Sequence, residues 1–199
     1  MKKHMIAALA IATTLGLAGC STGGNDVAAP EQGEVESTPT ETVQTPVENI
    51  DKTWTFEYQG ATGKFDLRGD SSDENVQGVE AARQLVDGQA VYLVPVTIDN
   101  TNGSSAINMY KVTVITKDGQ QVESMDLSDA FSAWRDAAGD DTDRYNALID
   151  AGNKYALFDL QPGAKGTAVV AFQQPVTSAW RVTVAPAGGS EQVEAAAKP

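Results

Sequence analysis

Cysteine and histidine are nearly absent from this chain: each occurs once in 199 residues. Cys20 alone excludes an internal disulfide framework. His4 alone, three residues from the start, excludes much more. Ser-His-Asp and Cys-His arrangements need an imidazole base beside the nucleophile. Zinc, copper and haem sites draw on His and Cys ligands, so no such cofactor is expected. Basic residues are also few, 14 against 27 acidic ones, for a net charge of −13. Such a surface repels nucleic acid and anionic headgroups, so no nucleic-acid partner is expected. Aromatics make up only 7% of the chain, and none precedes Trp54. No apolar run approaches the roughly 20 residues that span a bilayer.

What is present at the start is Met1-Lys2-Lys3-His4, then an uncharged run from Met5 to Leu17, then small residues before Cys20. A positive leader, a short apolar stretch and small residues describe an export signal. Leu17-Ala18-Gly19-Cys20 resembles the lipobox of bacterial lipoproteins. That resemblance implies a diacylglycerol on the Cys20 sulfur and cleavage that leaves Cys20 first. Two acyl chains anchor stably where one would be marginal. The expectation is a signal peptide over 1–19 and a lipid-anchored protein on the extracytoplasmic face of the cell membrane. Cleavage would remove Lys2, Lys3 and His4, leaving 12 basic against 27 acidic residues, a net −15.

Residues 20–50 are rich in Gly, Ser, Thr, Pro and Glu and contain no aromatic residue. Such a composition cannot bury enough apolar surface to offset its ordering entropy, so it is expected to be a disordered acidic tether. Residues 187–199 are equally poor in large apolar side chains and are expected to fray as a disordered tail.

Between them, 51–186 has the size of one domain. Its apolar period is mostly two: Trp54, Phe56 and Tyr58 alternate with polar neighbours, as on a half-buried strand. Gly60–Gly63 is expected to form a turn. Tyr92, Val94, Val96 and Ile98 share a face of a strong strand, in which Pro95 suggests an edge or a bulge. Strand patterns recur at 107–116, 155–160, 167–172 and 180–184, and a short helical piece is expected around 79–85. Residues 127–152 break the pattern. Ser128 is expected to cap a helix carrying Phe131 and Trp134, ended by Gly139. Asp143 is expected to cap another, ended by Gly152. About seven strands with turn signals indicate an antiparallel β-sandwich with a short helical insertion.

Thr97-Ile98-Asp99-Asn100, Asp118-Gly119, Leu160-Gln161-Pro162-Gly163 and the strand from Gly166 to Phe172 together resemble the immunoglobulin-like domains of bacterial (actinobacterial-type) surface lipoproteins, similar to secreted mycobacterial-type antigens. The resemblance runs from Thr53 to Ala185. It implies an all-β, immunoglobulin-like antiparallel β-sandwich and no agreed active site, since these motifs are turn chemistry.

Three sets of side chains are candidates for function. Asp136, Asp140, Asp141 and Asp143, extended by Asp150, offer hard oxygen ligands of the kind Ca²⁺ takes, although their spacing departs from the Asp-x-Asp-x-Asp-Gly loop. Trp134 and Tyr145, in the helical insertion, are candidate binding aromatics, ahead of Tyr155 and Trp180. Paired carboxylates also suit glycoside hydrolysis, but nothing in the spacing brings two acids together in an apolar pocket. The tripeptide Arg68-Gly69-Asp70 is short enough to arise by chance and is expected to be a turn. The function expected is non-enzymatic: binding an unknown protein or cell-envelope component through the sandwich loops and inserted helices. The alternative is a Ca²⁺-dependent or carbohydrate-binding module using the acidic stretch 136–150.

Overall fold

The computed structural model describes residues 50–198. The expected signal peptide, Cys20 and nearly all of the expected tether lie outside the described residues. Within them the chain forms eight strands and three helices: β1 (Thr53–Tyr58), β2 (Ala61–Asp66), α1 (Glu74–Gln84), β3 (Tyr92–Asp99), β4 (Lys111–Ile115), β5 (Gln121–Glu123), α2 (Leu127–Ala138), α3 (Thr142–Tyr155), β6 (Lys165–Phe172), β7 (Arg181–Ala185) and β8 (Val193–Ala197). The strands form one sheet in the order β5-β4-β7-β8-β1-β2-β3-β6. Every pairing is antiparallel. The two ends of the order curl toward each other and meet at one bridge, where Met125 N–H donates to Ala171 O at 2.8 Å. The result is an antiparallel β structure one seam short of a barrel.

The core fills the inside of this sheet. Trp54, Phe56, Phe65, Val96, Ile98 and Phe172 are among its buried side chains, each at an alternating position of its strand, as period two requires. A second apolar cluster lies outside, where α1, α2 and α3 cover β3 and β6. Leu93, Val169 and Ala171 point into it while Val94, Val170 and Phe172 point inward. These two strands are therefore apolar on both faces, which explains why their sequences read as nearly continuous hydrophobic runs.

Several expectations need correction. The segment 187–199 is not a frayed tail over the described residues. Its Val193–Ala197 forms β8, inserted between β7 and β1. Ala195 packs inward across from Val182, in the same buried cluster as Trp54. Pro95 marks neither an edge nor a bulge, because β3 lies between β2 and β6 in continuous register. Asn100 N–H donates to Ala164 on the β6 side, so with period two the odd-numbered residues of β3 address β2. The β2 ladder ends at Val96, and the missing N–H of Pro95 costs no rung.

The β1–β2 turn is also tighter than expected. Gln59 (φ 47°) and Gly60 (φ 87°) form a two-residue hairpin with both residues left-handed, as the strand twist favours. Gly63 belongs to β2, directly opposite Phe56. A Cβ there would fall inside the Phe56 ring, so this glycine makes room for a core aromatic. Gly63→Val is expected to cost about 1–3 kcal/mol by overpacking, read as a lower urea midpoint at unchanged slope. An unchanged midpoint would show that the ring has free space to move.

Both helices begin two residues earlier than Ser128 and Asp143 suggested. Asp126 caps α2, accepting from Ser128 N–H, and Asp141 caps α3, accepting from Arg144 N–H. Gly139 ends α2 as expected. Gly152 does not end α3. It lies buried inside the helix against the Phe131 ring, at 3.4 Å from where a Cβ would stand, so it serves helix packing instead of capping.

Candidate functional site

The seam that leaves the barrel open also makes a groove of about 520 Å³. Its floor is β6 at Ala168–Val170, and its walls are Asn108–Tyr110 leading into β4, the Ser124–Ser128 entry to α2, and Ala156–Asp159 after α3. One end is closed by the Met125–Ala171 bridge, and a second bridge, Ile107–Leu160, ties the chain before β4 to the chain before β6. Two apolar side chains stand exposed at the rim, Leu157 (65%) and Tyr110 (57%). Met109 and Met125 line the interior, and such flexible thioethers adapt to varied apolar contacts. Its carboxylates are Asp126 and Asp159. Both accept bonds from uncharged groups, Asp126 from Ser128 and Asp159 from Gln161 Nε2 at 2.9 Å.

The β6 edge gives the groove its chemistry. With Asn100 N–H bonded to Ala164 O, the even-numbered residues of β6 exchange bonds with β3. The odd-numbered residues then face the seam, which agrees with Ala171 O accepting from Met125. Among the described residues, no group donates to or accepts from the outward backbone of Thr167 or Val169. Buried backbone groups are nearly always paired, and Val169 is buried.

A second depression, about 720 Å³, lies on the outer face of β1, β2, β3 and β6, lined by Thr55, Thr62, Lys64, Thr97, Asp99 and Lys165 among others. Its charges are partly satisfied internally. Lys165 Nζ lies 2.7 Å from Asp99 Oδ2, and Thr101 donates to Asp99 through both its hydroxyl and its N–H. The Lys165 bond first, and then those from Thr101, hold the Asp99 carboxyl down to about 2, from an ordinary 3.8. Because the folded value is depressed, this contribution to stability is present above pH 3.8 and is lost as pH falls toward 2. Lys165→Ala is expected to raise the Asp99 pKa toward 3.8 in a carboxyl NMR titration. A titration that stays near 2 would assign the shift to Thr101 alone.

The candidate residues from sequence do not assemble into a site. Trp134 is 2% exposed. Its ring meets Phe131 edge-on at 5.0 Å, and its Nε1 donates to Gln89 O. It is a core residue of the helical cluster, because the face of α2 carrying Ala130, Phe131 and Trp134 is the one that covers β6. Tyr145 is exposed (41%) but belongs to neither core cluster. Trp180 is about half exposed, and Tyr155 is partly buried with Lys154 over its ring. Among the described residues, no group of three or more carboxylate, imidazole or thiol side chains is placed to hold a metal ion. Asp136, Asp140, Asp141 and Asp143 flank the α2–α3 turn, with Asp141 committed to capping α3 and pairing with Arg144 at 3.1 Å. Asp141 and Asp143 mark the start of α3, where aspartate favours the first turn, while Asp136 lies in the last turn of α2. The seam escaped the sequence reading because no local pattern records which strand edges are left unpaired. No protein family model, curated protein or solved structure matches this chain.

Proposed function

We propose that this chain is a non-enzymatic, lipid-anchored extracytoplasmic protein that binds a protein partner, with Cys20 as the anchor and the seam groove as the binding surface. The observation that carries the binding role is the groove itself: a cleft with adaptable apolar walls, exposed Leu157 and Tyr110 at its rim, and strand-edge backbone in its floor. Exposed apolar side chains around a concavity are characteristic of interaction sites. The walls of the groove are loops and the entry to α2, set on the edge strand β6. That placement favours a function added to a stable frame.

An immunoglobulin-like frame is part of this proposal. Its support is that β3 pairs with β6 while β5-β4-β7-β8 run in order, the pairing and order of strands B with E and of C′-C-F-G in that architecture. The helices α2 and α3 then stand between the C′ and E equivalents. The reading with Ca²⁺ at 136–150 has no supporting observation among the described residues.

Crosslinking in intact cells, followed by pull-down, tests the binding role. A partner attached at Leu157 or Tyr110 supports it, and a chain that crosslinks to nothing removes it. Cell fractionation tests the anchor separately: Cys20→Ala is expected to leave the membrane fraction, and a variant that stays there would overturn lipid attachment.

A further inference from the structure

We infer that the partner enters the seam as an extended polypeptide strand carrying basic side chains, and that it pairs with the free edge of β6. This rests on the binding role proposed above and names the chemistry of its occupant. Three observations point to a strand. The outward N–H and C=O groups of Thr167 and Val169 are without partners among the described residues, and they repeat at the two-residue spacing of an antiparallel ladder. The side of the seam facing them is not another sheet edge in register, since the two sheet ends touch through the single Met125–Ala171 bridge. Finally, Leu157, Met109 and Met125 line the same groove, where alternate side chains of an added strand would find apolar contacts.

Charge selects the kind of strand. Among the described residues, no basic side chain is paired with Asp126 or Asp159 at the groove. The nearest lysine of β6, Lys165, is drawn to Asp99 on the outer face of the sheet. The chain as a whole carries −13. An acidic strand would meet two carboxylates, whereas lysine or arginine would meet complementary charge and associate faster for it. The recognition therefore divides into two parts. Backbone bonds to β6 give affinity without regard to sequence, and Asp126 and Asp159 choose basic over acidic segments.

The test uses the full chain and a capped peptide, acetyl-Lys-Val-Thr-Val-Lys-amide, followed by NMR. Binding is expected to shift the Thr167 and Val169 amide signals and slow their hydrogen exchange at least tenfold at saturation. Replacing both lysines by glutamate is expected to weaken binding at least fivefold, and N-methylation of every peptide amide to abolish it. Asp159→Asn, at an exposed position, is expected to weaken the lysine peptide severalfold without changing the thermal midpoint. Leu157→Asp provides a second variant, also exposed, expected to weaken both the lysine and the glutamate peptides. Unchanged exchange at Thr167 and Val169 with millimolar peptide, or equal binding of the N-methylated peptide, would overturn strand addition. The cellular crosslinks separate this inference from the reading it rests on. A partner crosslinked at Leu157 or Tyr110, with exchange at Thr167 and Val169 unchanged by the peptide, would keep the groove as the binding surface and overturn strand addition.

Discussion

A chain that ends at Gly189 is expected to lose its cooperative unfolding transition. The missing segment contains β8, which joins the two halves of the sheet by pairing Val184 with Val193 and Val182 with Ala195 on one side, and Trp54 with Ala197 on the other. Without it, β5-β4-β7 and β1-β2-β3-β6 have no ladder between them, and the isolated Met125–Ala171 and Ile107–Leu160 bridges are what still connect them among the described residues. Trp54, Val182 and Val184, all buried in the complete sheet, would lose their cover. Each large apolar side chain left exposed forfeits about 1.5–3 kcal/mol, and two new edges would carry unpaired backbone groups. Three such losses approach the whole stability of an ordinary domain, about 5–15 kcal/mol. Near-ultraviolet circular dichroism during a thermal ramp checks this. A truncated chain that melts as sharply as the full one, within a few degrees, would show that β8 is an accessory strand. A gentler variant, Ala195→Asp, keeps the chain length and is expected to lower the midpoint strongly, because it buries an unpaired carboxylate beside the core.

Trp134→Ala is the second large expected effect, a loss of about 3–5 kcal/mol in urea unfolding. The side chain fills the space between α2 and the segment before β3. It packs against Gly88, where a Cβ would strike the indole, and it donates to Gln89 O at 3.2 Å. Truncation opens a cavity beside Phe131 and leaves that carbonyl without its donor. A tryptophan serving a binding surface would behave otherwise. Its removal would leave the urea midpoint within about 0.5 kcal/mol, as for most surface substitutions, and would abolish partner crosslinking instead. Trp134→Phe restores most of the volume and is expected to recover more than half of the loss. If it recovers none, the indole N–H bond is the larger part of the contribution.

These two effects fall where sequence reasoning and structure part. Trp134 looked functional because it lies in a segment that interrupts the strand pattern. The interruption is real, but a helix laid across a sheet needs an apolar face of its own, and the largest side chain on that face goes inward. Residues 187–199 looked unfolded because alanine carries little burial energy. Burial energy, however, depends on the neighbours that a residue covers. Beside Trp54, the alanines of β8 complete the sheet by pairing with β1.

By itself the sequence determined the β character of the domain, the presence of two successive helices in the middle, the Gly139 stop between them, and the alternation that sends Phe56, Val96 and Ile98 inward. All of these are local properties: a period of two or 3.6, a turn residue with positive φ, a cap at a helix end. Only the tertiary structure decided the order of the strands, the central place of β8, the burial of Trp134, the dispersal of the acidic residues, and the seam between β6 and the chain leading into β4. Strand pairing joins residues far apart in the chain, as Trp54 with Ala197 shows, and an unpaired edge is a property of the whole sheet. No stretch of residues encodes alone which backbone groups will be left without a neighbour. For that reason the groove at Thr167 and Val169 became visible only once every other strand had its place.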